Sequence, residues 1–287
     1  MNELDYFLLK LHLCGLDLKN ELLLAEYLTK FKHCPSKAEF FELLSLSKSR
    51  IEKLFDALQS RELAQKLKYN LALSNVLTIL DARYPQNLRE IYQPPVVLFY
   101  RGDIGLLESA KKLGIVGSRQ CSTYATRVLT ELLPQVLTYK LTLVSGLAKG
   151  VDGMVHQITL QHGGQTIAVI GNGLNICYPR CNLELQHELE TSGLILSEYA
   201  LDVAPLKYHF PLRNRIIAGL SQSVFVVEAR HKSGSLITAN LALQENRNVL
   251  ALPGRITDPL SQGCNELILA GAKPVLASTD ILEEFNY

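Results

Sequence analysis

Residues 141–171 read LTLVSGLAKGVDGMVHQITLQHGGQTIAVIG. Two continuous apolar runs, LTLVSG and QTIAVIG, flank an amphipathic stretch, DGMVHQITLQHG. Continuous rather than alternating apolar residues belong to a strand buried on both faces, and strands joined through a helix run parallel. The same alternation extends in both directions. Apolar runs stand at LGIVG (113–117), LILSEY (194–199), SVFVVEA (223–229), NVLALPG (248–254) and the shorter PVLA (274–277). Helical patterns separate them: TYATRVLTELLPQVL, LELQHELETSG, NRIIAGLSQ, SLITANLALQE and CNELILAGA. With right-handed crossovers this predicts an α/β fold, a doubly wound and mainly parallel sheet covered on both faces.

Upstream, residues 76–102 place two β-rich runs, VLTIL and VVLFY, around a turn-rich middle, and read as a lead-in strand and connector. Before them, LDYFLLKLHLCGL, NELLLAEYLTKF and AEFFELLSL carry leucines and aromatics at three- and four-residue spacing. The expected division is a small all-helical domain at 1–75 ahead of an α/β domain at 76–287.

The 287 residues have 47% apolar and 20% charged side chains and a formal net charge of +1. No apolar run is long enough to span a bilayer, and the N-terminus MNELDYFLLK lacks the features of a signal peptide. Six cysteines lie scattered, with only Cys177 and Cys181 close together and no second Cys or His pair at zinc-like spacing. The expectation is a cytoplasmic protein without a metal or membrane association. A nucleic-acid partner would require cations concentrated locally, since the global charge supplies no excess.

Such a concentration follows the strands. In doubly wound sheets, ligands gather outside the carboxyl ends of the strands. LGIVG is followed by Ser118 and Arg119, LTLVSG by Lys149, and QTIAVIG by a loop ending at Arg180. LILSEY leads to KYHFPLRNR (207–215), with Lys207, Phe210, Arg213, Asn214 and Arg215, and SVFVVEA to RHKSGS, with Arg230, Lys232, Ser233, Gly234 and Ser235. Glycine lets a ligand approach the backbone, and the next helix offers free N–H groups and a positive dipole end, a combination suited to phosphate. One such turn is a weak signal; five on one edge are a strong one.

Pro211 suits the first turn of a helix and puts Arg213 and Arg215 near its positive end, where cations are disfavoured by about 0.3–1 kcal/mol each. A bound anion would reverse that cost; so would an acid such as Glu198 or Glu228. A dinucleotide fits poorly, because the first turn is GSRQCS rather than GxGxxG, and no GxxxxGK[ST] phosphate loop is present. No cofactor is therefore expected. A polyanion fits better, with Phe210, Tyr208 and Tyr178 stacking on bases while arginine and lysine track phosphates. Asp152 and His156 share a helix face and read as a helix-start residue and its partner rather than a metal pair. Glu198 and Glu228 read as orienting the arginines rather than as an acid/base pair. Cys121 stands near a helix N-terminus, which would lower its pKa.

Taken together, GIVGSR (114–119), SGLAKGVD (145–152), TIAVIGNGLNICYP (166–179), LSEY (196–199), FPLRNRIIAGLS (210–221), VVEA (226–229), KSGSLITA (232–239) and LPG (252–254) closely resemble the DprA/Smf family of DNA processing proteins of bacterial natural transformation. The resemblance implies an extended Rossmann-like domain behind a small sterile-alpha-motif-like domain. It implies binding and protection of incoming single-stranded DNA, loading of the recombinase RecA, and no catalytic step. It also implies a homodimer formed through the segment 263–277. The family's DNA-binding positions fall on Arg119, Arg180, Lys207 and the FPLRNR segment; Arg180 stands where many members have lysine. Ser118, Lys149, Lys232 and Ser233–Ser235 are added from the edge pattern. Many members carry a C-terminal winged helix, which is expected to be absent because ILEEFNY follows soon after the last apolar run. A second reading is a phosphoribohydrolase of a related fold, but aligning its PGGxGTxxE signature on Thr238 puts Leu241 where the catalytic glutamate belongs.

Overall fold

The protein is described from a computed structural model covering residues 1–285. Five helices open the chain: α1 (Glu3–Leu13), α2 (Leu18–Phe31), α3 (Lys37–Leu43), α4 (Lys48–Leu58) and α5 (Arg61–Leu73). Each begins on a side chain that accepts the free backbone N–H three residues on, from Asn2, Asp17, Ser36, Ser47 and Ser60 respectively. Such caps contribute about 1 kcal/mol each.

The remainder alternates strand and helix. In order come β1 (Asn75–Thr78), α6 (Gln86–Arg89), β2 (Val97–Gly102), β3 (Lys112–Val116), α7 (Thr123–Leu137), β4 (Thr142–Ser145), α8 (Val151–Gln161), β5 (Gln165–Ile170), α9 (Leu183–Ser192) and β6 (Leu194–Ser197). They are followed by α10 (His209–Leu220), β7 (Ser223–Val226), α11 (Gly234–Gln244), β8 (Asn248–Ala251), α12 (Gln262–Leu269), β9 (Lys273–Pro274) and α13 (Ser278–Leu282). One sheet contains every strand, in the order β1-β2-β6-β5-β4-β3-β7-β8-β9. Strands β3 to β9 are mutually parallel; β1 and β2 add an antiparallel margin beside β6. This is the doubly wound α/β fold read from the sequence.

Two apolar layers cover the sheet. Leu113, Ile115, Leu143, Phe225 and Leu250 face α7, α8 and α13. Their alternate neighbours, Val116, Val144, Val224 and Val226, share the opposite layer with Ile216 and Ile217 of α10 and Ala239 of α11. That layer runs without a break into the N-terminal helices, through Leu77, Phe99 and Leu196 to Leu8, Leu24 and Leu28. The helical N-terminus is therefore packed on the margin of the sheet through a shared core.

The predicted strands end earlier than their apolar runs, because the trailing Ser, Gly and Glu residues belong to the turns that carry the site. PVLA forms no full strand: pairing stops at Pro274, and the amide of Val275 donates to the Ala251 carbonyl at 3.0 Å. Among the described residues no helix is long and apolar enough to cross a membrane.

Candidate nucleic-acid interface

The chain runs β3, β4, β5, β6 outward to one side, then returns to place β7 on the other side of β3. The reversal opens a crevice between the loops after β3 and β7, the place where such sheets hold ligands. A cleft of about 550 Å³ lies there. Its walls include Ser118 and Arg119 after β3, Arg230 and Ser233–Ser235 after β7, and Lys207, Phe210 and Asn214 around the start of α10. A smaller pocket of about 200 Å³ continues from it under Tyr178 and Phe210, with Lys149 at its edge. Arg119, Ala148, Tyr178, Phe210 and Arg213 belong to both.

Local sequence explains this shape. Gly150 has φ of +83°, and a β-carbon there would collide with the carbonyl oxygen of Ser118. Glycine therefore lets the turns after β3 and β4 close on each other. α11 starts at Gly234 with no side-chain cap on its first N–H groups, and the buried hydroxyl of Ser233 has no hydrogen-bond partner. An anion in the cleft would meet this uncapped, positive helix end. The Phe210 ring lies 5.5 Å from that of Tyr178, and the Arg119 guanidinium carbon lies 5.4 Å from the Phe210 ring centre. Arg119, Lys149, Lys207 and Arg230 are exposed. Among the described residues lining these cavities, Asp152 is the single acid, and it is buried.

Not every predicted residue reaches the cleft. Arg213 lies beneath it as part of the floor. It is 5% exposed, donates to the carbonyls of Gly146 (2.6 Å) and Val169, and leaves Nε unpaired. Burial lowers its pKa to about 10, and nearby Asp152 works the other way. Asp152 in turn is raised by burial, against the pull of Arg213 and of the backbone amides of Ala148, Gly146 and Gly117. Arg215 faces away from the cleft. Its guanidinium holds both oxygens of Glu198 at 2.9 and 2.6 Å and donates to the carbonyls of Gln93 and Leu212. These two cations thus find protein acceptors, which corrects the expectation that a bound anion is what offsets their place in α10. Because α10 begins at His209, both also lie beyond its first turn.

Arg180 and Lys232 are exposed near the rim, but neither lines the cleft. Two further expectations are corrected. Glu228 orients no arginine; it accepts from the backbone N–H (3.1 Å) and hydroxyl of Ser122, the cap of α7. Burial raises rather than lowers the Cys121 thiol. His156 is fully buried with Nδ1 2.7 Å from the Thr166 hydroxyl. No group of three or more potential metal ligands occurs among the described residues.

Arg230, one of the edge cations in the sequence but not placed among the expected DNA-binding positions, lines the cleft. It is the first exposed residue after β7, and the signal that marked Lys232 applies to it more directly. Tyr178 was visible as a stacking candidate, but its place beside Phe210 depends on the loop after β5 meeting the first turn of α10.

Sheet and cleft together define a Rossmann-like protein with an electropositive, aromatic-walled crevice at its switch point. Comparison with known proteins gives that description a family. Residues 75–286 match the family model of DNA recombination-mediator protein A. The DNA processing protein DprA of Streptococcus pneumoniae is 44% identical over 273 residues, 95% of this chain and 90% of that one. The Bacillus subtilis protein of the same name is 44% identical over 210 residues, 73% and 71% of the two chains. The X-ray structure of Streptococcus pneumoniae DprA superposes with a TM-score of 0.92 at 40% identity, covering 100% of both chains. A Helicobacter pylori DprA structure, described for its single-stranded DNA binding mode, superposes with a TM-score of 0.67 at 29% identity, covering 74% of this chain and 95% of that one. The chain belongs to the DprA/Smf family of DNA recombination-mediator proteins.

Proposed function

We propose that the cleft binds single-stranded DNA and that the protein acts in natural transformation, holding incoming strands and loading RecA onto them. The observation that carries this reading is the row of cations across neighbouring strand ends. The loops after β6, β5, β4, β3 and β7, adjacent in that order, bear Lys207, Arg180, Lys149, Arg119 and Arg230 with Lys232. From β5 to β7 the row spans three inter-strand steps, about 15 Å. That is room for a few nucleotides, with Phe210 and Tyr178 as stacking surfaces. The Helicobacter pylori relative, described for its single-stranded DNA binding mode, supports single-strand binding by this chain.

The role is mediation without a chemical step. In support, Glu198 and Glu228 are engaged by Arg215 and Ser122 and are absent from the cleft walls. The protein works in the cytoplasm as a homodimer formed through 263–277. In that segment Leu269 and Leu276 are 90% and 77% exposed, an apolar surface suited to a second copy. The test is binding to a length series of single- and double-stranded oligonucleotides at two ionic strengths. Affinity should rise with length and favour the single strand. Release of a free base from AMP, lost on changing Glu198 or Glu228, would replace this reading with the phosphoribohydrolase one.

A further inference from the structure

Between the N-terminal helices and the sheet lies a groove of about 970 Å³ distinct from the cleft, and His12 of α1 stands in its wall. Nε2 of His12 lies 2.9 Å from the backbone carbonyl oxygen of Glu198, just past the end of β6. Nδ1 lies 2.9 Å from Oε1 of Glu21 on α2. A carbonyl oxygen and an ionised carboxylate only accept hydrogen bonds, so this geometry asks both ring nitrogens to donate. A neutral ring has one proton to give. Glu21 is itself 3% exposed, and no side chain other than His12 is hydrogen-bonded to its carboxylate among the described residues. A neutral His12 would leave a carboxylate buried without its countercharge.

From Glu198 the contacts lead to the cleft. The next residue, Tyr199, stacks on His209 with ring centres 3.9 Å apart, and His209 Nδ1 lies 3.0 Å from the carbonyl oxygen of Gly171 in the inner pocket. Phe210 follows directly, and Lys207 lies on the intervening loop. We propose that His12, protonated on both nitrogens, is a positioning residue for the DNA-binding arm, fixing the segment 198–210 to the N-terminal helices so that affinity for a single strand depends on its proton. The proposal rests on the reading of the cleft as a single-strand site.

The groups around His12 favour its charge. Glu21 faces it from α2 and Glu198 from the end of β6, with Arg215 of α10 beyond Glu198; Phe99 of β2 supplies an uncharged ring at 5.9 Å. Asp17 of α2 and Lys66 of α5 line the same groove. Burial opposes protonation, but Glu21 and Glu198 outweigh it and the ring titrates above its ordinary value. A group raised in this way keeps its full contribution below its unfolded pKa and loses it as pH rises through the folded one.

The experiment uses the full chain, labelled with ¹⁵N, with oligo-thymidine as the probe. At neutral pH both His12 nitrogens should be protonated. On raising the pH, amide resonances of residues 199–210 should shift with the His12 midpoint, and affinity should weaken at least about fivefold. His12→Gln should bind at the weaker level with that pH-dependent component removed, while Arg119→Ala should bind more weakly at every pH and keep it. An unprotonated Nε2 at neutral pH, or amides of 199–210 that ignore the His12 titration, would overturn the proposal. So would wild-type affinity and pH profile in His12→Gln. If the wild type binds no oligonucleotide, the reading of the cleft fails, and the wild-type spectra alone still decide whether His12 governs the arm.

Discussion

The guanidinium of Arg213 occupies the space in which a side chain on Gly146 would begin: Nη1 donates to the Gly146 carbonyl at 2.6 Å, and a β-carbon at 146 would collide with it. Gly146 ends the first strand-to-turn segment of the motif SGLAKGVD, so the motif's glycine serves a cation supplied 67 residues later. Gly146→Ala should displace the guanidinium from the carbonyls of Gly146 and Val169, at a cost of about 1.5–3 kcal/mol. Arg213→Ala should cost a similar amount. Chemical denaturation checks both, and Arg119→Ala, an exposed change, should leave the midpoint within about 0.5 kcal/mol of wild type.

Glu198 and Arg215 form a two-pronged pair with little solvent access, their side chains 12% and 9% exposed. Removing one partner leaves the other's charge uncompensated. Glu198→Gln and Arg215→Ala should each destabilise the fold by about 3 kcal/mol. Neither should alter the number of ions released on binding an oligonucleotide, because Arg215 faces away from the cleft. Salt-dependent binding by the two variants measures this.

His156 should be one source of acid sensitivity. The Thr166 hydroxyl donates to the Leu143 carbonyl at 3.0 Å, so it accepts from Nδ1–H of His156. Nε2 is then the bare nitrogen, buried without a partner. Burial first, and Arg213 second, hold its pKa down to about 3. The unfolded chain takes up this proton below its ordinary value near 6.5 and the folded chain does not, so stability falls as pH drops from there toward 3. The slope approaches about 1.4 kcal/mol per pH unit. His156→Leu should lose that component, seen as a shallower fall of stability between pH 6 and 4.

Leu269 closes α12 almost wholly exposed, and Leu276 follows the short β9. If they pack against a second copy, Leu269→Asp should yield a monomer with an unchanged thermal transition of the single chain. Sedimentation analysis decides; an unaltered mass would remove this segment from the interface.

The cleft was legible where charge follows closely on a buried strand. Ser118 and Arg119 lie two and three residues past β3, and Lys149 four past β4; such positions point to the edge whatever the order of the strands. The order itself was not legible, because parallel neighbours are chosen by long-range pairing that leaves no mark in a local apolar run. Arg213 and Arg215 show the same limit. Their position in α10 could be read, but their acceptors, Gly146, Val169 and Glu198, lie in other segments. Only folding decides whether a cation near a helix start meets a ligand or a carbonyl. The shared core of the N-terminal helices and the sheet margin was hidden for a related reason: leucine periodicity gives the buried face of a helix but not its partner.

The most direct test is the salt dependence of single-strand binding by wild type, Arg119→Ala and Lys207→Ala. Each phosphate neutralised contributes about −0.7 to the log–log slope. Wild type should show a slope of several units on a long oligonucleotide, and each substitution should flatten it by about 0.7. Equal affinity for mononucleotides and long strands, or a slope that neither substitution changes, would contradict a cleft that grips DNA through these side chains.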